Sequence, residues 1–373
     1  MPELELRAER SQTARASAPP GTALVKVIVP CYRYSELLEG CIDSILGQTG
    51  VELRVLIIDD CSPDDTAGVA ERLAQRDSRV RFRRHAENMG LIGTANEGLR
   101  WAEDSDYVVL LSADDMLTPG ALERAVTVME SHPEVGMVYG QAPYFESNDS
   151  LPRFGERWQG TKIWPGEEWI RRRCQAAKNC VCSPEVVVRT SVQRRVGEYS
   201  DEHRYTSDLD MWLRIAVVAD VAYVKGAAQA LYRVHDESMS RSMVNSGGLI
   251  SDFEERRGVF EDFLAGPGAG IEEVASLRTM LARTLARQAL RQASLVYDRG
   301  EVDDGGSAAI EDLIGFARRT YAGSDRLPEW RGLRLRRRIG ASRSAWFPPF
   351  LLTRVGKRLQ GSFEWRRKQR LGV

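Results

Sequence analysis

Between residues 23 and 139 the chain repeats one rhythm, a short apolar run of strand length followed by a segment whose apolar residues recur every three or four positions. The runs 23–29, 53–58 and 107–111 are rich in β-branched and aliphatic residues, as strands buried on both faces are. Between the first two, Leu37, Leu38, Cys41, Ile42 and Ile45 have helical spacing over 36–46. Val69, Ala70 and Leu73 mark a second helix, which Ser62 or Asp64 can cap. A short strand at 80–82, helices at 90–102 and 121–130, and a strand at 135–139 continue the alternation. The spacing predicts an α/β fold, a mostly parallel sheet with helices on both faces.

The strand ends carry the chemistry. Pro30 fixes the direction in which the chain leaves the first strand, and Tyr32 can present a ring to a base. An Asp at the end of the second strand, Asp59 or Asp60, can accept from the N3–H of a pyrimidine. The run 107–111 stops on Asp114 and Asp115, at the carboxyl edge where open α/β sheets bind ligands. Two hard oxygen ligands there suit Mg²⁺ or Mn²⁺, which usually arrives with substrate phosphates. Taken alone, the pair reads more readily as a solvated turn, and the rest of the chain turns that reading around. Thr118 and Pro119 signal a helix start, with Thr as cap. The stretch TSDLDMWLR at 206–214 opens a helix with Asp208 in its first turn, where the helix dipole favours an ionised carboxylate.

Beyond residue 140 the pattern loosens. Residues 144–166 are rich in Pro, Gly, Trp and charge and read as a long functional loop or lid. Strand-like 181–188, helical 209–218 and short strands at 222–224 and 230–234 follow, then a linker at 238–251. A helical segment runs from 251 to about 321, interrupted at 298–306. The expected organisation is a disordered leader (1–22), a main domain (23–240, with halves 23–116 and 117–240), a helical extension (251–325) and a basic, aromatic-rich tail (326–373).

Composition is ordinary for a globular protein, 43% hydrophobic and 28% charged, with a formal net charge of −1. That balance hides an asymmetry, since 331–373 holds 13 Lys+Arg against one acid, Glu364. No apolar run approaches the roughly 18 residues of a spanning helix. Residues 1–20 lack the apolar segment of a secretory signal. Six Cys in 373 residues do not suggest a disulfide framework. Cys174, Cys180 and Cys182 cluster without the spacing that completes a zinc site, so core thiols are the plainer reading. His85, His132 and His203 read as surface or loop residues, whereas Trp158, Trp164 and Trp169 suit either packing or stacking on sugars. The tail resembles no nucleic-acid-binding fold. It reads as a solvated tail or as an attachment to an anionic membrane. Its interleaved Trp346, Phe347, Phe350, Phe363 and Trp365 favour the membrane, at roughly 1 kcal/mol per basic residue.

Taken together these stretches resemble glycosyltransferase family 2, the inverting nucleotide-sugar enzymes of GT-A fold, from about residue 25 to 240. VIVPCYRY, CIDSILGQT, IIDDCS, Asn88-x-Gly90, SADD, SDLDMWLR and YRVH with SMS stand in the order that family uses. The resemblance implies that Asp60 meets the pyrimidine, with Pro30, Tyr32 and Asn88 around the nucleotide. It implies Asp115 as metal ligand, Asp114 as ribose or metal-shell partner, and Asp208 as base. Arg233 and His235 then lie over the diphosphate, His235 as a further metal ligand. Asp210, two residues beyond Asp208 and about 200° round the helix, reads as structural. Two positions depart from the pattern. Ser112 replaces the first acid of a D-x-D-D, and Thr94 and Ala95 stand where a basic residue is common.

The implied activity is metal-dependent (Mn²⁺ or Mg²⁺) transfer of a sugar from a UDP- or dTDP-linked donor to a hydroxyl of a glycan or lipid-linked acceptor. It belongs to cell-surface polysaccharide or glycoconjugate synthesis, in the cytoplasm or at the inner membrane face. The alternative is a catalytically silent GT-A module that binds nucleotide-sugar or glycan, for which Ser112 is the support. A nucleotidyltransferase or dehydrogenase would need a Gly-rich phosphate loop after the first strand, and PCYRYSE is not one.

Overall fold

Four buried strands, β1 (Leu24–Cys31), β2 (Glu52–Asp59), β3 (Val80–Arg84) and β4 (Tyr107–Leu110), pair in parallel in the order β3-β2-β1-β4. Helices α1 (Leu38–Leu46), α2 (Thr66–Arg76) and α3 (Gly90–Ala102) connect them. Every side chain from Val25 to Cys31 is buried, and each large aliphatic there contributes about 1.5–3 kcal/mol. Helix α3 lies directly on β1. A Cβ at Gly98 would stand 2.1 Å from Ile28 Cγ2, so only glycine permits that approach.

In the computed structural model the described residues are 23–235, 239–299, 302, 304–344, 350 and 371–373. They fall into two units, the first made of 23–169, 180–235 and 371–372 and the second mainly of 170–179 and the residues after 236. The expected leader lies outside the described residues.

After β4 the chain makes β5 (Met116–Leu117), α4 (Ala121–Ser131), β6 (Val135–Tyr139), β7 (Tyr144–Phe145), β8 (Thr161–Trp164) and α5 (Gly166–Ala176). Then come β9 (Val187–Arg189), α6 (Thr190–Val196), α7 (Ser207–Val218), β10 (Asp220–Val224) and β11 (Ala230–Arg233). The eight-stranded sheet runs β3-β2-β1-β4-β9-β6-β10-β8. β9 is antiparallel to both β4 and β6, and β8 is antiparallel to β10. A second, three-stranded sheet, β5-β11-β7, sits at the site described below.

Three local readings are corrected here. Helix α4 is entered through Gly120, at φ 71°, and not capped by Thr118, whose hydroxyl donates instead to the carbonyl of Ala228. Residues 144–166 contain β7 and β8 and are not all loop. The apolar run 181–188 is a 3₁₀ turn around Pro184 followed by a three-residue strand.

In the second unit, α8 (Met239–Ala265), α9 (Val274–Arg299), α10 (Asp304–Thr320) and α11 (Pro328–Ile339) form a helical body. The expected linker at 238–251 is mostly helix. α9 buries Leu277, Leu281, Leu285, Ala289 and Leu290 at helical spacing. α11 turns Trp330, Leu333 and Arg336 inward, and Arg336 makes a bidentate pair with Asp298 at 2.9 and 3.0 Å. Residues 331–339 are therefore part of the helical body, not of a basic tail. Most of the remaining tail lies outside the described residues. Among the described residues no helix is long and apolar enough to cross a membrane.

Candidate active site

The carboxyl ends of β1, β2 and β4 lie side by side, because the three strands are neighbours in one parallel ladder. Two of the exits are strained. Arg33 and Cys61 have φ of 64° and 60°, a region that costs a non-glycine residue about 1–3 kcal/mol. Hydrogen bonds hold the turns. Arg33 N–H donates to Ser62 Oγ at 2.9 Å, and Tyr34 N–H to Thr66 Oγ1 at 3.0 Å.

Past β4, a turn closed by Asp115 N–H on the Ser112 carbonyl (3.0 Å) presents the two carboxylates. Both are buried. Asp115 Oδ1 accepts from Arg233 N–H at 2.8 Å, and Asp114 Oδ2 lies 3.0 Å from His235 Nε2. Asp114 Oδ1 is buried and accepts no hydrogen bond among the described residues. Burial, and then the charge of Asp114, push the Asp115 carboxyl well above its usual range. The small sheet makes this cluster, since β11 carries Arg233 and ends beside His235.

Arg233 does not present its guanidinium to a ligand in this arrangement. It is buried, stacked 4.2 Å from the Phe145 ring, and donates to the carbonyls of Asp114 (2.9 Å) and Glu146 (3.2 Å) and to Asn148 Oδ1. In this arrangement it ties the diacid turn to residues 145–148. Tyr34 joins the cluster unforeseen. Its ring meets that of His235 edge-on at 6.2 Å, and burial with the charges of Asp114 and Asp115 raises its phenol. The signal was its place at the end of VIVPCYRY, where only Tyr32 had been singled out.

At the β2 end, Asp60 is buried and shapes the start of α3. Oδ1 accepts from Met89 N–H (2.7 Å) and faces His85 Nδ1 (2.8 Å), while Oδ2 accepts from Gly90 N–H (2.8 Å). Asn88 is exposed, donates to the Asp60 carbonyl at 3.2 Å and accepts from Gly90 N–H at 3.1 Å. Pro30 is buried in the β1–β2 ladder opposite Ile58, and Tyr32 is 44% exposed. His85, read as a surface residue, is buried here.

Asp208 belongs to a different group of residues. It lies half-buried in the first turn of α7, with Leu209 N–H on its Oδ1 at 2.7 Å, and its charge is felt by the buried Tyr199. Asn96 of α3 clamps the Tyr199 backbone through both amide atoms, at 2.8 and 2.9 Å. Asp210 pairs with Arg214 at 2.8 Å, a structural role as expected. Of the tryptophans, Trp164 and Trp169 are core and Trp158 is exposed.

Residues 26–191, which carry β1 to α6 and both carboxylate groups at the strand ends, match the model of Glycosyl transferase family 2. This segment is similar to glycosyltransferase family 2. Among curated family relatives, the uncharacterized glycosyltransferase EpsJ of Bacillus subtilis is 33% identical over 109 residues, 29% of this chain and 31% of EpsJ. Chondroitin synthase of Escherichia coli is 25% identical over 201 residues, 54% of this chain and 28% of that protein. The chain thus spans under a third of either relative. In fold, S. aureus TarS 1-349 in complex with UDP-GlcNAc matches with a TM-score of 0.58 at 16% identity, over 86% of this chain and 88% of that one. The likeness is one of fold.

Proposed function

We propose that this protein is a metal-dependent inverting glycosyltransferase that uses a UDP- or dTDP-sugar and an acceptor hydroxyl on a glycan or lipid-linked glycan. The observation that carries the reading is the buried Asp114–Asp115 pair, with Asp114 Oδ1 accepting no geometrically formed hydrogen bond among the described residues and with Tyr34 and His235 beside it. A buried carboxylate oxygen without a donor is costly unless a cation or ligand completes it. Among the described residues no group of three or more His, Cys, Asp or Glu side chains stands ready to hold a metal. That fits Mn²⁺ or Mg²⁺, which takes one or two carboxylates from protein and the rest from substrate phosphates. Asp115 and Asp114 are the carboxylates that would hold it, with His235 on Asp114 Oδ2 beside them as a further candidate ligand.

When bound, such an ion stabilises charge developing on the leaving diphosphate. The chain supplies the other parts. Asp60, held at the start of α3 with one lone pair of Oδ2 left over, is the acceptor for the base N3–H, with Tyr32 exposed beside the same strand exits. Asp208, in the first turn of α7, takes the acceptor's proton as its oxygen attacks the anomeric carbon. One displacement from the opposite face inverts that carbon, with no covalent intermediate. The name of chondroitin synthase and the UDP-GlcNAc in TarS agree with polysaccharide synthesis and with UDP as first choice. The basic, aromatic residues 345–370 would hold the protein at an anionic membrane where a lipid-linked acceptor resides.

A thermal-shift series with UDP, dTDP, GDP and CDP, each with and without Mn²⁺, tests the reading. UDP or dTDP with Mn²⁺ should raise the melting temperature most. A response to GDP alone, or to none of the four, overturns the donor assignment.

A further inference from the structure

His85 has no place in the chemistry above, yet it occupies an unusual position. It follows β3 directly, and its N–H continues the ladder by donating to the Asp59 carbonyl at 2.9 Å. Its side chain is 6% exposed and lies between two carboxylates, with Nδ1 2.8 Å from Asp60 Oδ1 and Nε2 3.1 Å from Glu97 Oε2 on α3. Ionised carboxylates only accept hydrogen bonds, and a neutral imidazole has a single N–H. Both contacts are bonds only when both ring nitrogens carry protons. Burial by itself would lower the basicity of the ring; the hydrogen bonds to Asp60 and Glu97 outweigh it and hold His85 above its ordinary value.

The surrounding charges agree. Arg83 pairs with Glu97, and Arg84 lies 3.2 Å from Asp59 Oδ2. Among the described residues neither pairs with Asp60, and His85 is the basic group on that carboxylate. A carboxylate offers about four lone-pair positions. Three on Asp60 are filled by Met89 N–H, Gly90 N–H and His85, and the remaining one is on Oδ2. The His85 bond takes the second position on Oδ1, beside Met89 N–H, and so leaves the available one on Oδ2.

We propose that His85 is a positioning residue for the donor's base, clamping Asp60 against Glu97 so that Oδ2 is presented to a ring N–H. The proposal rests on the donor reading above. It also gives that reading a pH dependence, because the clamp needs both ring protons. The groups that set it are Asp60, Glu97 and Arg83, with Asp59 and Arg84 alongside.

The test is calorimetric titration of UDP, with Mg²⁺ present, into wild type, His85→Gln and Glu97→Gln from about pH 6 to about pH 8.5, across the range in which histidine titrates. The ionisation of UDP itself is common to all three proteins and cancels in the ratio of dissociation constants. At the acid end the ratio of His85→Gln to wild type should be about tenfold, the worth of one hydrogen bond to a charged group. It should fall towards unity as the pH rises and wild type loses the second ring proton. Glu97→Gln keeps the His85–Asp60 bond but removes a carboxylate that holds the proton, so its own loss of affinity should begin at lower pH than in wild type. A ratio that does not change with pH, at unity or above it, reduces His85 to packing and overturns the proposal while UDP binding stands. If His85→Gln does not fold, the Glu97→Gln profile decides, and an unmoved profile overturns it. Wild type that binds neither UDP nor dTDP overturns the donor reading, and this proposal with it.

Discussion

The N–H of Arg233 donates to Asp115 Oδ1 at 2.8 Å, while its own Nε returns to the Asp114 carbonyl at 2.9 Å. One residue thus holds both members of the diacid from the same strand end. Arg233→Lys keeps the charge and the backbone bond but loses the planar fork that also reaches Glu146 and Asn148. It should weaken metal-dependent UDP binding about tenfold and lower the melting temperature. Unchanged calorimetric affinity would show that the turn is held without it.

Asp115→Ala should abolish the coupling between Mn²⁺ and UDP. Because Mn²⁺ and Mg²⁺ sites of this kind take most of their ligands from substrate phosphates and water, wild type should show little response to Mn²⁺ without nucleotide and a clear one with it. A thermal-shift matrix of metal by nucleotide reads this directly. A variant with the wild-type matrix would contradict the assignment of the ligand.

Asp208→Asn preserves shape and removes the proton acceptor. Turnover should fall by about 10²–10⁴-fold with UDP affinity nearly constant. Retention of more than about a third of wild-type turnover sends the proton elsewhere, with Glu202 the next residue to replace.

The His85 clamp also makes a stability prediction. Its folded value is raised, so its contribution is complete below the unfolded histidine value of about 6.5 and is lost as pH rises through the folded one. Glu97 is lowered, burial being outweighed by its bonds to Arg83 and His85, so its contribution is lost only as pH falls through its folded value. The melting-temperature gap between wild type and His85→Gln should therefore be widest from about pH 5 to 6.5 and narrow above it. A gap that stays equally wide from about pH 6 to about pH 9 would remove the ionic part of the argument.

Membrane attachment is tested without cutting the chain. Deletion from residue 331 would remove α11 and break the buried Arg336–Asp298 pair, worth about 3–5 kcal/mol when one partner is left behind. Replacing Arg354, Lys357, Arg358, Arg366, Arg367 and Lys368 by Gln spares it. Co-sedimentation with anionic vesicles at low salt should drop steeply, at roughly 1 kcal/mol per residue. Equal co-sedimentation would refute the attachment.

Helix α3 and strand β6 have the bounds their sequences suggest, since each combines clean periodicity with clear flanks, Gly90 in one case and Tyr139 before Gly140 in the other. The diacid was legible as well, because a buried strand that stops on two acids has few uses. What composition hid was long-range. The antiparallel placing of β9 depends on partners at 107–108 and 137–138, and a Ser-Gly-rich stretch near 245 reads as linker until its helix is seen. His85 could not be ranked from sequence, for both of its partners are distant in the chain.

The position of β9 also sets an order of assembly. Strands β1 to β4 find all their mutual partners within residues 24–110, whereas β6 pairs only with β9 and β10, which begin at residues 187 and 220. During synthesis the segment VGMVY, wholly buried in the finished sheet, waits some fifty residues for its first neighbour. A chain arrested in that interval exposes a bare apolar strand beside an already folded half. It is there, and not in the nucleotide-binding strands, that a chaperone would be needed and a slow ribosome costly.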